Sequence, residues 1–194
     1  MALLVRRCFR VFSVINAVIV AVACIAAACP IHAQKVPERE LQATYLFNFV
    51  QYVEWPAAAF SGPQSPFVIG VLGEDPFGPA LDDAVKGDFV KNRRLVVERF
   101  RRVEDIKTCH ILFISQSDVA AYQRIIGALQ RRVTLTVGDT ESFSTGGGMI
   151  RFLTEQNKIM LKVNLGAAKA AGLSISSKLL ALRNVEIVGT ERTP

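Results

Sequence analysis

The sequence predicts an α/β fold: a single layered domain whose mainly parallel sheet is flanked by helices and extended by an antiparallel hairpin. Three observations carry this. Short apolar runs of strand length recur at Phe67–Leu72, Leu95–Phe100, His110–Ile114 and Val133–Val137. Helical segments fall between them, the clearest having Val119, Tyr122, Ile125, Ile126 and Leu129 on one face. Met149–Leu153 and Lys158–Val163, joined by Glu155-Gln156-Asn157, read as two strands and a turn. Strand–helix–strand alternation gives parallel neighbours, and the closing pair gives the antiparallel extension.

Taken in order, residues 38–54 are predicted as a helix. No charge lies between Glu40 and Glu54, and Leu41, Tyr45, Leu46, Phe47, Phe49, Val50, Tyr52 and Val53 surround most of its axis. Thr44, Asn48 and Gln51 leave only a narrow neutral stripe, so the helix must be covered on several sides, by its own domain or by another chain. Trp55-Pro56 ends it, since a residue before proline is pushed out of the α region. Ser61–Pro66 is a loop on turn chemistry. Phe67–Leu72, continuously apolar, reads as a buried strand. Gly73–Gly78 turns into a short helix, Pro79–Val85. The strand Leu95–Phe100 puts Leu95 and Val97 on one face. Ser117 caps the amphipathic helix that follows the third strand. Asp139–Gly148 is a glycine-ended loop. Asn164 caps a helix through Ala171 with Gly172 as its stop. Ser176 or Ser177 starts a last helix through Leu182.

The chain divides at its start. Of 194 residues, the first 33 hold Arg6, Arg7 and Arg10 and no acid, then an uncharged run from Val11 to Cys29, then Pro30 and an Ile31-His32-Ala33 exit. This is the pattern of a secretory signal peptide cleaved after Ala33, leaving residues 34–194 as an exported domain. An uncleaved anchor is the alternative, since the 19-residue run is just long enough to span, but Ser13 and Asn16 weaken it for that purpose. Ala21-Val22-Ala23-Cys24 makes a poor lipidation site. Without the three leader arginines, the 23 basic residues fall to 20 against 17 acidic ones, a net of +3. The basic doublets Arg93-Arg94, Arg101-Arg102 and Arg131-Arg132 are scattered, and solvated faces explain them at least as well as a nucleic-acid surface does. Cys8, Cys24 and Cys29 leave with the leader, so Cys109 has no internal disulfide partner. A domain of this length buries roughly 70% of its unfolded surface and needs no such staple.

Chemistry-bearing residues are few in the exported part. Cys109 and His110 are adjacent on a strand, so their side chains point to opposite faces and make no nucleophile–base pair. Cys109 reads as a small buried apolar residue. A serine hydrolase would have to use His110 with Ser115, and no Gly-x-Ser-x-Gly elbow is present. Gly146-Gly147-Gly148 lacks the Lys and hydroxyl of a phosphate loop. One histidine and one cysteine do not build a zinc site, and Glu74, Asp75, Asp82 and Asp83 read as solvated loop acids. The expectation is a non-enzymatic binder with no catalytic residues, no metal and no cofactor. Tyr52 and Trp55, amphipathic rings at the end of the apolar helix, are its candidate partner-binding residues.

The sequence resembles the YfiR/HmsC-like periplasmic family. The likeness rests on the aromatic block Ala43–Pro56, on Val71–Gly78, on Cys109–Ser115, on Gly147–Ile150 with Phe152, on Asn164–Ala168 and on Gly172–Leu180, in order across nearly the whole exported part. The resemblance implies a periplasmic α/β domain, usually homodimeric and without known catalysis. It also implies repression of an inner-membrane diguanylate cyclase through that enzyme's periplasmic sensor domain, lowering cyclic-di-GMP and biofilm output. An OmpA-like outer-membrane lipoprotein that sequesters the repressor is a further implied partner. Family members can carry paired cysteines tuned by redox state. Here Cys109 has no such partner, and its redox role would require exposure and a second molecule. A small-ligand module, with its crevice at Gly73–Gly78 and Ser115 on the strand ends, is the alternative.

Overall fold

The computed structural model describes residues 37–189 except 116–118, 131, 142, 144 and 157. Its elements are helix α1 (Glu38–Tyr52), strand β1 (Val53–Glu54), β2 (Phe67–Gly73), α2 (Pro79–Val85), β3 (Phe89–Val90), β4 (Arg93–Phe100), β5 (Ile111–Ser115) and α3 (Val119–Leu129). Then follow β6 (Leu135–Gly138), β7 (Ile150–Glu155), β8 (Lys158–Asn164), α4 (Leu165–Ala170), β9 (Ser174–Ile175), α5 (Ser177–Leu180) and β10 (Val185–Val188). Eight strands form one sheet in the order β10-β8-β7-β6-β5-β2-β4-β3. Neighbours are parallel except the β7–β8 hairpin and the β3–β4 edge. This is the expected α/β architecture, with its mainly parallel sheet and antiparallel extension.

Alternation along β2 shows why its sequence is apolar without interruption. Phe67, Ile69 and Val71 enter a core on one face of the sheet, and Val68 and Leu72 enter a second core on the other. A central parallel strand has no wet face. Gly70 sits in the same strand because a Cβ there would lie 2.7 Å from Cys109 Sγ and 2.9 Å from both Leu112 and Phe100. On the first face lie α1, α2 and the C-terminal helical turns; on the second, α3 supplies Tyr122 and Leu129. Gly148, the last of the glycine run, has a packing reason that Gly138 shares, because the buried Phe143 ring rests where their side chains would stand.

The helix α1 stops at Tyr52, two residues before the predicted end. Val53 and Glu54 leave the helix to pair with Ile175 and Ser174 of β9. Its own domain provides the cover: Ala43, Leu46, Phe49 and Val50 are buried, whereas Thr44 and Gln51 are exposed. Asn164 caps α4 by accepting from Ala167 N at 2.9 Å, and Ser176 caps α5. The predicted Ser117 cap lies outside the described residues. The last predicted helix is shorter than expected, Ser177–Leu180. The short strands β3, β9 and β10 were not anticipated.

Candidate interaction site at the end of the first helix

α1 crosses the sheet from its carboxyl edge to its amino edge. At the carboxyl edge, Arg39 pairs with Asp139 just after β6 at 2.8 Å, and Glu38 accepts from Thr154 on β7 at 2.8 Å. At the amino edge, the Trp55 ring meets Phe67, the first residue of β2, edge-on at 4.8 Å, and Trp55 Nε1 donates to the His110 carbonyl at 3.2 Å. The two predicted partner-binding residues therefore lie together at the amino edge, both half-buried. Tyr52 packs against the first core, and its carbonyl accepts from Ser176 N at 2.8 Å.

Trp55 begins a layered stack. Phe67 stacks on His110 at 4.7 Å, His110 stacks on Phe60 at 4.5 Å, and the Arg93 guanidinium carbon lies 3.9 Å from the Phe60 ring centre. Arg93 also donates to Gly62 O at 2.6 Å and to Ser65 O and Ser65 Oγ, each at 2.9 Å. A cation over an aromatic face adds electrostatic attraction to packing. The stack thus pins the whole 56–66 turn, with its three prolines, to the sheet. Arg93 was read from sequence as half of a solvated doublet. The structure corrects this, and the sequence carried no signal that would have singled it out.

His110 is buried, and its Nδ1 accepts from Val68 N at 3.0 Å. Burial pushes its pKa down to about 4, with the Arg93 charge acting in the same direction. The ring is therefore a neutral packing element. Ser115 ends the strand that His110 precedes, a run of roughly 16 Å at the usual strand rise. The His110–Ser115 hydrolase arrangement does not form.

Cys109 faces the second core, as the alternation argument required, and its Sγ donates to Ile111 O at 3.0 Å. Burial pushes the thiol up to about 12. The condition set for redox exchange with another molecule was exposure, and Cys109 is buried.

The alternative crevice carries an ion-pair network in place of the solvated acids read from sequence. Gly73 and Ser115 do stand side by side on β2 and β5, where the strand order reverses. There, Arg99 bridges Asp75 at 2.7 Å and Asp82 at 2.5 Å and donates to Gly78 O at 3.0 Å, while Asp75 also accepts from Phe77 N at 2.8 Å. The hydrogen bond from Arg99 holds Asp82 below the usual carboxylate range. Two of the four acids read as solvated are committed to one guanidinium.

Among the described residues no helix is long and apolar enough to cross a membrane. No curated protein matches the sequence closely enough to count as a relative. The family comparison is positive over residues 39–183, from the first turn of α1 to the approach of β10. That span takes in the aromatic block, both cores and the hairpin, and the chain belongs to the YfiR/HmsC-like family.

Proposed function

We propose that the chain is an exported periplasmic regulator that binds the periplasmic sensor domain of an inner-membrane diguanylate cyclase and represses it. The observation that carries this reading is the family match across the whole domain, a family consistent with regulators of such cyclases. The leader at residues 1–33 supports export. Regulation by contact is a matter of differential affinity: the protein must bind the inactive sensor conformation better than the active one, since equal affinity shifts nothing. Sequestration by an OmpA-like outer-membrane lipoprotein would compete for the same molecule, and a homodimer is the expected working form. No cofactor enters the scheme.

The Tyr52–Trp55 helix end is the proposed docking surface. Its rings are amphipathic and half-exposed, Trp55 held by the stack and Tyr52 by the first core, so contact there costs little ordering. The two residues do not test it equally. Trp55 carries structure through Phe67 and His110, whereas Tyr52 carries less. Tyr52→Glu should leave the melting temperature within a few degrees of wild type and weaken binding to the purified sensor domain of the partner cyclase by tenfold or more, on the order of 1.4 kcal/mol. Wild-type affinity in a folded Tyr52→Glu protein would reject this surface while leaving the regulatory reading intact. Loss of all binding between wild-type protein and sensor would reject the reading itself.

A further inference from the structure

A cavity of about 260 Å³ lies between α3 and α4 at the amino edge of the sheet. Its walls are Ile126 and Leu129 of α3, Met149, and Ala170 of α4, and its floor is Thr134 with Thr136, the residues on either side of Leu135 at the start of β6. Both threonines are at least nine-tenths buried, at 3% and 2% exposure. Their hydroxyls are used asymmetrically. Thr134 Oγ donates its proton to Cys109 O at 2.7 Å and keeps its lone pairs. Thr136 Oγ accepts from Met149 N at 3.2 Å and keeps its proton. The floor therefore offers an acceptor and a donor side by side in an apolar chamber. No charged side chain lines it among the described residues. The exposed Gln130 and Ala170 mark where it opens to solvent.

We propose that this cavity is a binding site for a small neutral ring molecule carrying one hydroxyl, of the phenol class. Size and chemistry select that class together. An apolar cavity of roughly 150 Å³ suffices for benzene, so this one takes a substituted ring. An ionised ligand would be desolvated without a countercharge, which is costly. A pure hydrocarbon would fill the walls but leave the Thr136 proton unmatched. The site is distinct from the Tyr52–Trp55 surface and from the Arg99 crevice. It does not depend on the cyclase reading, because it is tested on the purified protein alone.

The probes are p-cresol and toluene, which differ by one hydroxyl. Calorimetric titration of the purified protein should give saturable p-cresol binding, with toluene roughly two- to tenfold weaker, the ratio expected of one net hydrogen bond. Methyl resonances of Ile126, Leu129 and Met149 should shift with the same midpoint. Ala170→Leu, at an exposed helix position where leucine is a good helix former, should remove binding of both probes. Thr136→Val should retain toluene and erase the preference. Absence of saturable p-cresol binding would overturn the site, as would p-cresol affinity unchanged by Ala170→Leu. Equal affinity for the two probes in the wild type would overturn the assigned class.

Discussion

Acidification should loosen the amino edge of this sheet through His110. In the folded protein the imidazole is sandwiched between Phe60 and Phe67, its Nδ1 already occupied by the Val68 amide hydrogen. Among the described residues the charged groups facing it from the packed elements reduce to Arg93, beyond Phe60; β2 presents Phe67 and the Val68 backbone, and the 57–60 turn presents Phe60, alanines and the Ala59 backbone, which favours the charged ring but is outweighed by burial. Protonation would place a second cation in this stack and set two hydrogens against each other at Nδ1. The folded pKa is about 4 against an ordinary 6.5. The unfolded chain therefore binds more protons between these values, and stability rises with pH across that window. The contribution is fully present above pH 6.5 and is lost as pH falls towards 4. A difference of 2.5 pKa units corresponds to about 3 kcal/mol at 1.36 kcal/mol per unit, a large part of the 5–15 kcal/mol of a typical domain. Asp82 and Asp105, held low by Arg99 and Arg102, lose their share only below the ordinary carboxylate range, so the interval from pH 6.5 to 4.5 isolates the histidine. The sequence has one tryptophan, and it lies in the stack. Urea unfolding followed by Trp55 fluorescence should show the midpoint falling steadily across that interval, and His110→Gln should be less stable at pH 7 yet nearly flat with pH. A flat wild-type profile, or the same slope in His110→Gln, would refute the reasoning.

Two further outcomes follow from packing. Gly70→Ala forces a methyl to within 2.7 Å of Cys109 Sγ and 2.9 Å of Leu112 and Phe100, and overpacking of that kind costs about 1–3 kcal/mol; a melting temperature equal to wild type would show that the second core gives way more easily than its contacts imply. Cys109, with its thiol pushed up to about 12, should resist alkylation in native protein at pH 8 and label at full rate in urea, mapped at the peptide that contains it; rapid native labelling would contradict its burial.

The parts of this fold legible from sequence are those whose signals are local. The bounds of α2 match the prediction because Gly78-Pro79 fixes its start and the apolar pattern fixes its length. The β7–β8 hairpin was legible because Gln156 occupies a turn position with φ of 48° between two alternating runs. Strands β3 and β9 were not, because two residues carry no periodicity; β3 merely folds back on Arg93 and Arg94, and the pairing of β9 is set by the distant Val53 and Glu54. β10 joins β8 in parallel at the sheet edge, and its half-exposed residues lack the continuous apolar run that marks β2 and β5. At the candidate site, Tyr52 and Trp55 were visible as amphipathic rings at a helix end. The Phe60–His110–Arg93 stack was not, since its members are separated by 17 to 50 positions in the numbering and meet only once the strands align.

The two edges of the sheet are closed by different physics, and this bears on where recognition takes place. At the carboxyl edge, where open α/β sheets usually hold ligands, Asp75, Arg99 and Asp82 satisfy one another in a largely exposed network. Exposed pairs of this kind contribute little stability and are screened by salt, so a partner engaging them would trade one set of weak bonds for another. At the amino edge beneath the end of α1, closure is aromatic and mostly buried, and the surface left over there is Tyr52 and the outer part of Trp55. That surface is rigid because its inner half belongs to the core. Trp55→Phe separates the two halves. It removes the Nε1 donor, but the His110 carbonyl keeps Leu135 N at 2.8 Å as a partner, so the carbonyl is not orphaned and the loss of stability should stay near 1 kcal/mol. If recognition uses the exposed indole rim, sensor binding should fall by more than Trp55→Phe lowers stability. If binding and stability fall in proportion, Trp55 is core alone, and Tyr52 with the turn behind it carries the contact.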